Sequence, residues 1–328
     1  MPAKKIVYLF GAGATHAEIF NLKPNPDAIY RDKNGLLISD VSKRVMREAQ
    51  KIKNFKKDVE FVTAAEGSLN IELLISLLLT NQIPNSDSKA KELKRLVKQD
   101  IVGKLRSERR KRFCLHKGLF ELHALIKNRE ELIGSISLNY DSVLDEAYAA
   151  NGLVVSYCHS SDVIKGLPLL KLHGSFNWKS IDMYGKRKQI PIIPLGVRKN
   201  YLIPPYNFIW GKAYELLVAC DVLRIIGCSM NQNDLGLVDL LFKVHLERRD
   251  PLEMQIIDFQ TNGDAIKNSY GFFPNIVKPK DIEDSLIADE RIMNPENGGN
   301  PFKLWLQAKA LKTVEKPIRK TKFLRECF

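Results

Sequence analysis

The sequence predicts an α/β fold built on a doubly wound parallel sheet, with a helical insertion between its first two strands. From residue 134 onward, short runs of β-type residues alternate with segments of helical periodicity. Before them, residues 40–130 carry leucines at helical spacing, and a first β-type run occupies residues 4–10. A chain of 328 residues is long enough to bury a large core of this kind.

The first strand ends in a Gly-Ala-Gly-Ala turn, whose small residues suit a tight passage from strand to helix. Beyond the insertion we expect strands near 134–138, 153–157, 168–172, 190–193, 222–226 and 254–259, and helices near 141–150, 211–219 and 234–248. This alternation is Rossmann-like. We therefore predict one such domain over residues 1–272, with the insertion at about 40–130, and a basic C-terminal appendage over 273–328.

Composition places the chain among ordinary globular proteins, with 45% hydrophobic and 27% charged residues. The longest strongly apolar stretch, Ile71 to Leu79, is far shorter than the roughly 20 residues that a membrane-spanning helix needs. The five cysteines include no Cys-x-x-Cys pair, which argues against a zinc ribbon and a dithiol redox motif. We expect reduced thiols, no metal, no membrane association and a cytoplasmic protein.

The net charge of +13 is concentrated in two segments, Lys91–Arg112 and Lys303–Arg325, each with a net charge of +7. The rest of the chain is close to neutral. Such runs are either solvated helix faces or surfaces that bind nucleic acid or an acidic partner protein. The sequence leaves both interpretations open.

Three polar strings each follow a β-type run: Phe10-Gly-Ala-Gly-Ala-Thr15, Ser137-Leu-Asn-Tyr-Asp141 and Lys171-Leu-His-Gly-Ser175. In an open parallel sheet, ligands bind where strands end and loops begin. Three such loops could therefore converge on one crevice. The small residues of the first string would let a pyrophosphate approach the backbone at a helix N-terminus, although a tight turn without any ligand explains them too.

His173 and Asp141 each have a second interpretation. His173 could be a structural hydrogen-bonding residue, and Asp141 could simply cap the helix that follows it. A fourth string, Ile225-Ile-Gly-Cys-Ser229, is again a strand followed by a small-residue turn and leads into a capped helix. At the next strand end, Asp258 could accept hydrogen bonds from a ribose diol or could merely be exposed.

The order Gly-Ala-Gly-Ala-Thr, Leu-Asn-Tyr-Asp, Leu-His-Gly-Ser and Ile-Gly-Cys-Ser resembles the sirtuin superfamily. It is most similar to the bacterial sirtuin-like branch of NAD-hydrolysing effectors in anti-phage defence. The resemblance covers about residues 4–15 and 134–260. Protein-deacylating sirtuins carry a four-cysteine zinc module after the His-Gly-Ser string, whereas this sequence has no cysteine between Cys158 and Cys220.

The resemblance implies a role for each matching residue. His173 would be the catalytic base at the ribose, Asn139 would orient a ribose hydroxyl or the attacking water, and Asp141 would contact the nicotinamide amide. Asp258 stands where sirtuins usually have asparagine. The residues expected to bind the pyrophosphate or line the adenosine side are Gly11, Ala12, Gly13, Ala14, Thr15, Gly227 and Ser229.

These residues suit cleavage of the bond between nicotinamide and ribose. Nicotinamide attached to ribose is already a cation and leaves as a neutral molecule, so the site needs no general acid of the glycosidase kind. We therefore expect an NAD glycohydrolase, with NAD as substrate, acting in antiviral defence as a homo-oligomer with a partner protein. The alternatives are a non-catalytic NAD or ADP-ribose sensor and a subunit that binds nucleic acid or a partner.

Overall fold

The structure is a computed structural model. It describes residues 2–20, 35–53, 55–67, 69–79, 86–107, 115–125, 127–160, 165–178, 192–193, 201–228, 230, 234–257 and 276–277. The account that follows concerns these residues.

The core of the molecule is a seven-stranded sheet in which every pair of neighbouring strands is parallel. Its spatial order is β3-β4-β2-β1-β5-β6-β7. The strands are β1 (Lys4–Phe10), β2 (Glu130–Ser137), β3 (Val155–Ser156), β4 (Leu167–Lys171), β5 (Val222–Ile226), β6 (Glu253–Ile257) and β7 (Ile276–Val277).

Helices connect the strands and also form the insertion between β1 and β2. They are α1 (Ala12–Phe20), α2 (Ile38–Gln50), α3 (Lys56–Glu66), α4 (Ile71–Leu79), α5 (Ser86–Ser107), α6 (Leu115–Leu125), α7 (Val143–Ala150), α8 (Tyr206–Ala219) and α9 (Leu235–Glu247). No described helix combines the length and the apolar character needed to cross a bilayer.

Helices cover both faces of the sheet. Successive side chains of a strand point to opposite faces, so β1 contributes to two hydrophobic clusters. Ile6, Tyr8 and Phe10 pack with residues of α1, α6 and α7. Val7 and Leu9 pack with residues of α8 and α9 on the other face. This confirms the predicted doubly wound α/β fold.

The insertion has a hydrophobic core of its own, formed by residues of α2 to α5. Tyr140, Phe176 and Ile192 join this cluster from the loops beyond the sheet. In addition, the Lys98 ammonium group on α5 donates to the carbonyl oxygen of Phe176 at 3.1 Å. The predicted helical insertion therefore packs against the carboxyl edge of the sheet, where a ligand would bind.

The winding of the chain changes direction between β1 and β5. The two strands are neighbours, but α1 follows β1 on one face of the sheet and α9 follows β5 on the other. The loops that leave such a pair diverge and open a crevice at the carboxyl edge, which is the usual ligand site of this class of fold.

A polar network is buried within the sheet. The Arg224 guanidinium group is paired with the Glu130 carboxylate at 2.6 Å and donates to the Tyr8 hydroxyl at 3.2 Å. The Tyr8 hydroxyl in turn lies 2.5 Å from Nε2 of His123. Burial, with the nearby Arg224 cation, lowers the pKa of His123 to about 4. The neutral ring therefore accepts a hydrogen bond from the Tyr8 hydroxyl.

Four elements differ clearly from the sequence prediction. α8 begins at Tyr206, five residues before the predicted start. β2 begins at Glu130, four residues before the predicted start, because its backbone pairs with β1 from Lys4 onward. Of the strand expected at 190–193, Ile192 forms an isolated antiparallel bridge with Gly174. Residues 276–277, within the predicted appendage, add a strand beside β6. The division at residue 272 stays a prediction.

The turns after β1 and β5 touch backbone to backbone. The Gly13 amide donates to the Gly227 carbonyl oxygen at 2.8 Å. A Cβ atom on Gly11 would lie 2.5 Å from that same oxygen. Gly227 itself has a φ of +60°, and a Cβ there would lie 2.1 Å from the Ala14 nitrogen. Only glycine satisfies both the left-handed backbone and the close approach.

We predict that Gly227→Ala lowers the free energy of unfolding by about 3 kcal/mol or more, because left-handed strain and overpacking add. Gly152→Ala is the matched control, since Gly152 has a φ of +66° and a Cβ added to it would meet no atom within 4 Å. The control should lose only the strain, about 1–2 kcal/mol. Denaturant unfolding measures both values, and equal losses would contradict the packing explanation.

Candidate functional site

The predicted convergence of the polar strings occurs at the carboxyl edge of the sheet. Hydrogen bonds continue from the strands into the loops: Leu138 N donates to Phe10 O at 3.0 Å, and Leu172 N donates to Ser137 O at 3.0 Å. On the other side of β1, Gly11 N donates to Ile226 O at 2.9 Å. The loops after β4, β2, β1 and β5 are therefore held side by side around the point where the winding changes direction.

In the glycine turn after β1, three backbone amides already donate hydrogen bonds to other groups of the protein. The amides of Gly11, Gly13 and Ala14 donate to Ile226 O, Gly227 O and Gly11 O. The close approach of the β5 turn accounts for both glycines. Binding of a pyrophosphate by residues 11–15 stays a prediction, which rests on the N-terminus of α1 and its dipole.

Asn139 is anchored by its side-chain amide group. Nδ2 donates to the Gly11 carbonyl oxygen and to Thr15 Oγ1, both at 2.9 Å. A carbonyl oxygen can only accept, so Nδ2 must face Gly11 and the orientation of the amide is fixed. Among the described residues, none donates to Oδ1. This oxygen of a half-buried residue is therefore available to accept a hydrogen bond from a hydroxyl group or a water molecule.

Both carboxylate oxygens of Asp141 accept hydrogen bonds from other residues of the protein. Oδ2 accepts from the Thr15 hydroxyl at 3.0 Å, and Oδ1 accepts from the Val143 amide in the first turn of α7 at 3.0 Å. The side chain is almost completely buried. These contacts match the helix-cap interpretation of Asp141. Contact with a nicotinamide amide stays a prediction.

His173 lies across the crevice from Asn139. Nδ1 is 3.2 Å from the carbonyl oxygen of Leu138, the residue before Asn139, so Nδ1 carries a proton that it donates there. Its other nitrogen, Nε2, lies 3.4 Å from Oδ1 of Asp234. One residue of the β2 loop thus positions the predicted catalytic histidine, and the next residue is the predicted catalytic asparagine.

Asp234 gives this part of the site a negative charge. It precedes α9 but makes no side-chain capping bond, and its carboxylate faces His173 instead. Burial, together with the charges of Asp234 and Glu72, raises the pKa of Tyr140 well above its usual value. Burial and Asp234 likewise raise the pKa of Tyr201. The two tyrosines therefore stay neutral beside the histidine.

Asp234 is the site residue that sequence reasoning missed. The sequence presents it only as the start of a capped helix after a small-residue turn. A capping interpretation satisfies the local pattern, and only the folded structure shows that the carboxylate is directed at His173. Lys171, the first residue of the Lys-Leu-His-Gly-Ser string, likewise has no role that the sequence alone indicates.

Several predicted residues lie outside the described part of the chain. These are Ser229, Asp258, the end of the first basic segment from residue 108, and the whole of the second, Lys303–Arg325. In the described part of the first segment, Arg95 pairs with Glu92 at 2.5 Å and Arg44 pairs with Asp100 at 2.7 Å. Nucleic-acid binding by these segments stays a prediction.

No group of three or more His, Cys, Asp or Glu side chains forms a candidate metal site within the described ranges. In the same part of the chain the cysteines Cys158, Cys220 and Cys228 are free thiols. Burial raises the pKa of the Cys220 thiol to about 12. This thiol is therefore protonated at neutral pH and a poor nucleophile.

No family model and no curated protein matches the sequence. Similar solved structures include Sir2 enzymes. A structure from work on the mechanism and regulation of Sir2 enzymes is 13% identical, covers 94% of this chain and 92% of its own, and has a TM-score of 0.36. A Sir2 homologue in complex with NAD is 13% identical. The match covers 88% of this chain and 90% of the homologue, with a TM-score of 0.37. Sir2Tm bound to a propionylated peptide is 12% identical. The match covers 88% of this chain and 91% of Sir2Tm, with a TM-score of 0.39.

We predict that Thr15→Val destabilises the protein by about 1–3 kcal/mol, because the Asn139 amide and the Asp141 carboxylate each lose one of their hydrogen bonds. Thr15→Ser retains the hydroxyl group and should be much closer to wild type. Thr63→Val is the matched control, since the Thr63 hydroxyl only bonds back to Val59 O within its own helix. Denaturant unfolding of the three variants tests this, and a Thr15→Val protein as stable as wild type would contradict it.

Proposed function

We propose that this protein is an NAD glycohydrolase that cleaves the bond between nicotinamide and ribose. The observation that carries the proposal is the placement of Asn139 and His173. Both are fixed by the β1 and β2 loops at the point where the winding of the sheet changes direction, and Asn139 Oδ1 is open to a ligand. The sequence resemblance to sirtuins supports the same substrate.

The leaving group explains why few functional groups are needed. When the bond from C1′ of the ribose to the nicotinamide nitrogen breaks, its electron pair goes to that nitrogen. Nicotinamide then leaves as a neutral molecule, so no acid has to protonate it. The positive charge moves to the ribose, in an oxocarbenium-like transition state. The site must therefore hold the substrate, stabilise this charge and supply water.

Asn139, His173 and Asp234 each have a different role in this reaction. Asn139 Oδ1 accepts a hydrogen bond from the attacking water or from a ribose hydroxyl group. The water oxygen bonds to C1′ and gives up one proton, which His173 takes up as the base at the ribose and passes to solvent. Asp234, whose negative charge lies beside His173, stabilises the developing cation. The products are nicotinamide and ADP-ribose, or a cyclic isomer if a group of ADP-ribose replaces water.

The proposal extends to a defence role. The resemblance to bacterial sirtuin-like effectors supports an enzyme that depletes NAD in the cytoplasm after infection, as a homo-oligomer controlled by a partner protein. A protein of this kind must be inactive until it is triggered, because continuous NAD cleavage would kill its own cell. The trigger is therefore part of any assay of the activity.

We predict that the protein releases nicotinamide from NAD, and that His173→Ala and Asn139→Ala each reduce the rate by about 10²–10⁴-fold. Chromatography of the products after incubation with NAD measures this, with and without lysate from infected cells. His245→Ala, near the end of α9, and Asn128→Ala, at an exposed residue before β2 at the opposite edge of the sheet, change the same residue types and should cleave NAD at the wild-type rate.

Two outcomes would overturn the proposal. Wild-type protein that leaves NAD intact in every condition, yet binds it saturably, would instead be a sensor. If variants at His173 and Asn139 remain folded and cleave NAD at the wild-type rate, the observed cleavage does not take place in this crevice.

We predict that Asp234→Asn lowers kcat by about 10-fold or more, because the carboxylate beside His173 is replaced by a neutral amide. Asp234 makes no side-chain capping bond, so α9 should keep its stability. Asp239→Asn, an exposed change on the same helix, is the control for the loss of one negative charge. Equal rates for the two variants would contradict a role for Asp234.

A further inference from the structure

Lys171 is a lysine in the interior of the protein. It is the last residue of β4, and its side chain is only 1% exposed. A buried ammonium group is costly unless it is paired and hydrogen-bonded. The contacts that compensate for its burial therefore show what the residue does.

The ammonium group has two hydrogen-bond acceptors and one ionic partner. Nζ donates to the Asp141 carbonyl oxygen at 2.5 Å and to Ser175 Oγ at 2.7 Å. It is also paired with Oδ2 of Asp145 at 2.5 Å. The two hydrogen bonds and the ion pair together compensate for the burial of the ammonium group.

The Asp145 carboxylate is held on its other side as well. Its Oδ1 accepts from Asn177 Nδ2 at 3.1 Å and from the Tyr157 hydroxyl group. Burial and the Asp145 charge raise the pKa of Tyr157, so this hydroxyl stays protonated and continues to donate. Lys171 is thus paired with a carboxylate that neighbouring groups keep in place.

The partners of Lys171 belong to the two loops that carry the candidate catalytic residues. Asp141 ends the β2 loop, which contains Asn139, and Ser175 lies in the β4 loop, which contains His173. Ser175 Oγ and Phe176 N both contact the Tyr140 carbonyl oxygen, at 3.1 and 2.9 Å. The ammonium group therefore joins the two loops at the base of the crevice.

We propose that Lys171 is a positioning residue for the reaction, which fixes the β2 loop against the β4 loop and thereby sets Asn139 relative to His173. The inference rests on the proposed function. Stability alone does not require this arrangement, because apolar residues of similar size often replace a buried ion pair without loss. An apolar side chain would leave the Asp141 carbonyl oxygen without its donor, and the loop could shift.

The test is the double variant Lys171→Met/Asp145→Asn, which removes both charges together and leaves no unpaired ion. The amide oxygen introduced by Asp145→Asn can still accept from Tyr157 and Asn177. We expect a cooperatively folding protein in which kcat for NAD cleavage falls by about 100-fold, since small displacements of reacting groups have effects of this size. KM for NAD should change much less. A folded variant with wild-type kcat would overturn the proposal.

Arg224→Met/Glu130→Gln is the matched control. Arg224 and Glu130 form a second buried ion pair, with side chains 2% and 15% exposed against 1% and 12% for Lys171 and Asp145. Glu130 begins β2, at the edge of the sheet opposite the crevice. This double variant should lose stability while kcat, measured well below its melting temperature, stays at the wild-type value.

Hydrogen exchange provides a readout that does not depend on activity. In the Lys171→Met/Asp145→Asn protein, the amides of Val143 and Phe176, which bond to Asp141 and Tyr140, should exchange faster than in wild type. The Gly13 amide, held by Gly227, should not change. Unchanged exchange at Val143 and Phe176 would overturn positioning by Lys171, even in a protein that does not cleave NAD.

Ser175→Ala provides a second variant should the double variant fail to fold. It removes one acceptor of Lys171 and one donor to Tyr140, at a residue too buried to touch a substrate. We expect faster exchange at Phe176 and a smaller fall in kcat, about 10-fold. Wild-type values for both would contradict the proposal.

Discussion

The contact between the glycine turns after β1 and β5 is the constraint on which the carboxyl edge of the sheet depends. Gly13 donates to the Gly227 carbonyl oxygen, and neither turn has room for a Cβ atom where they meet. Because the chain winds away from these two strands on opposite faces, the contact holds the two halves of the fold together where they would otherwise diverge. The start of α1 is thereby fixed before any ligand binds.

The fixed turn then sets the rest of the site through a short series of bonds. The Gly11 carbonyl oxygen and the Thr15 hydroxyl orient Asn139, and Leu138 directly before it orients His173. Binding groups held in this way lose little freedom when a substrate arrives. The hydrogen bonds of Asp141 to Thr15 and Val143 hold the β2 loop against α1 and the start of α7.

Local patterns in the sequence were sufficient for most of the sheet. The run Val222–Ile226 is apolar enough on both faces to be recognised as a buried strand, even though it includes Arg224. What the sequence could not show are pairings between distant residues. Asp234 satisfies the local pattern of a helix cap, and Lys171 looks like an ordinary lysine at a strand end. Their partners, His173 and Asp145, are brought to them only by the packing of separate loops. The two-residue strand β7 is too short to give a recognisable pattern.

The charged side chains around the crevice favour a reacting group that becomes positively charged. Lys171 with Asp145, and Arg224 with Glu130, are neutral pairs, so neither adds a net charge near the crevice. Asp234 and Glu72 are the negative charges that act on Tyr140, a neighbour of the His173 ring. Such a field favours positive charge that develops on a bound group and opposes a developing anion. Cleavage that transfers charge from nicotinamide to ribose fits this field, whereas chemistry through an oxyanion would work against it.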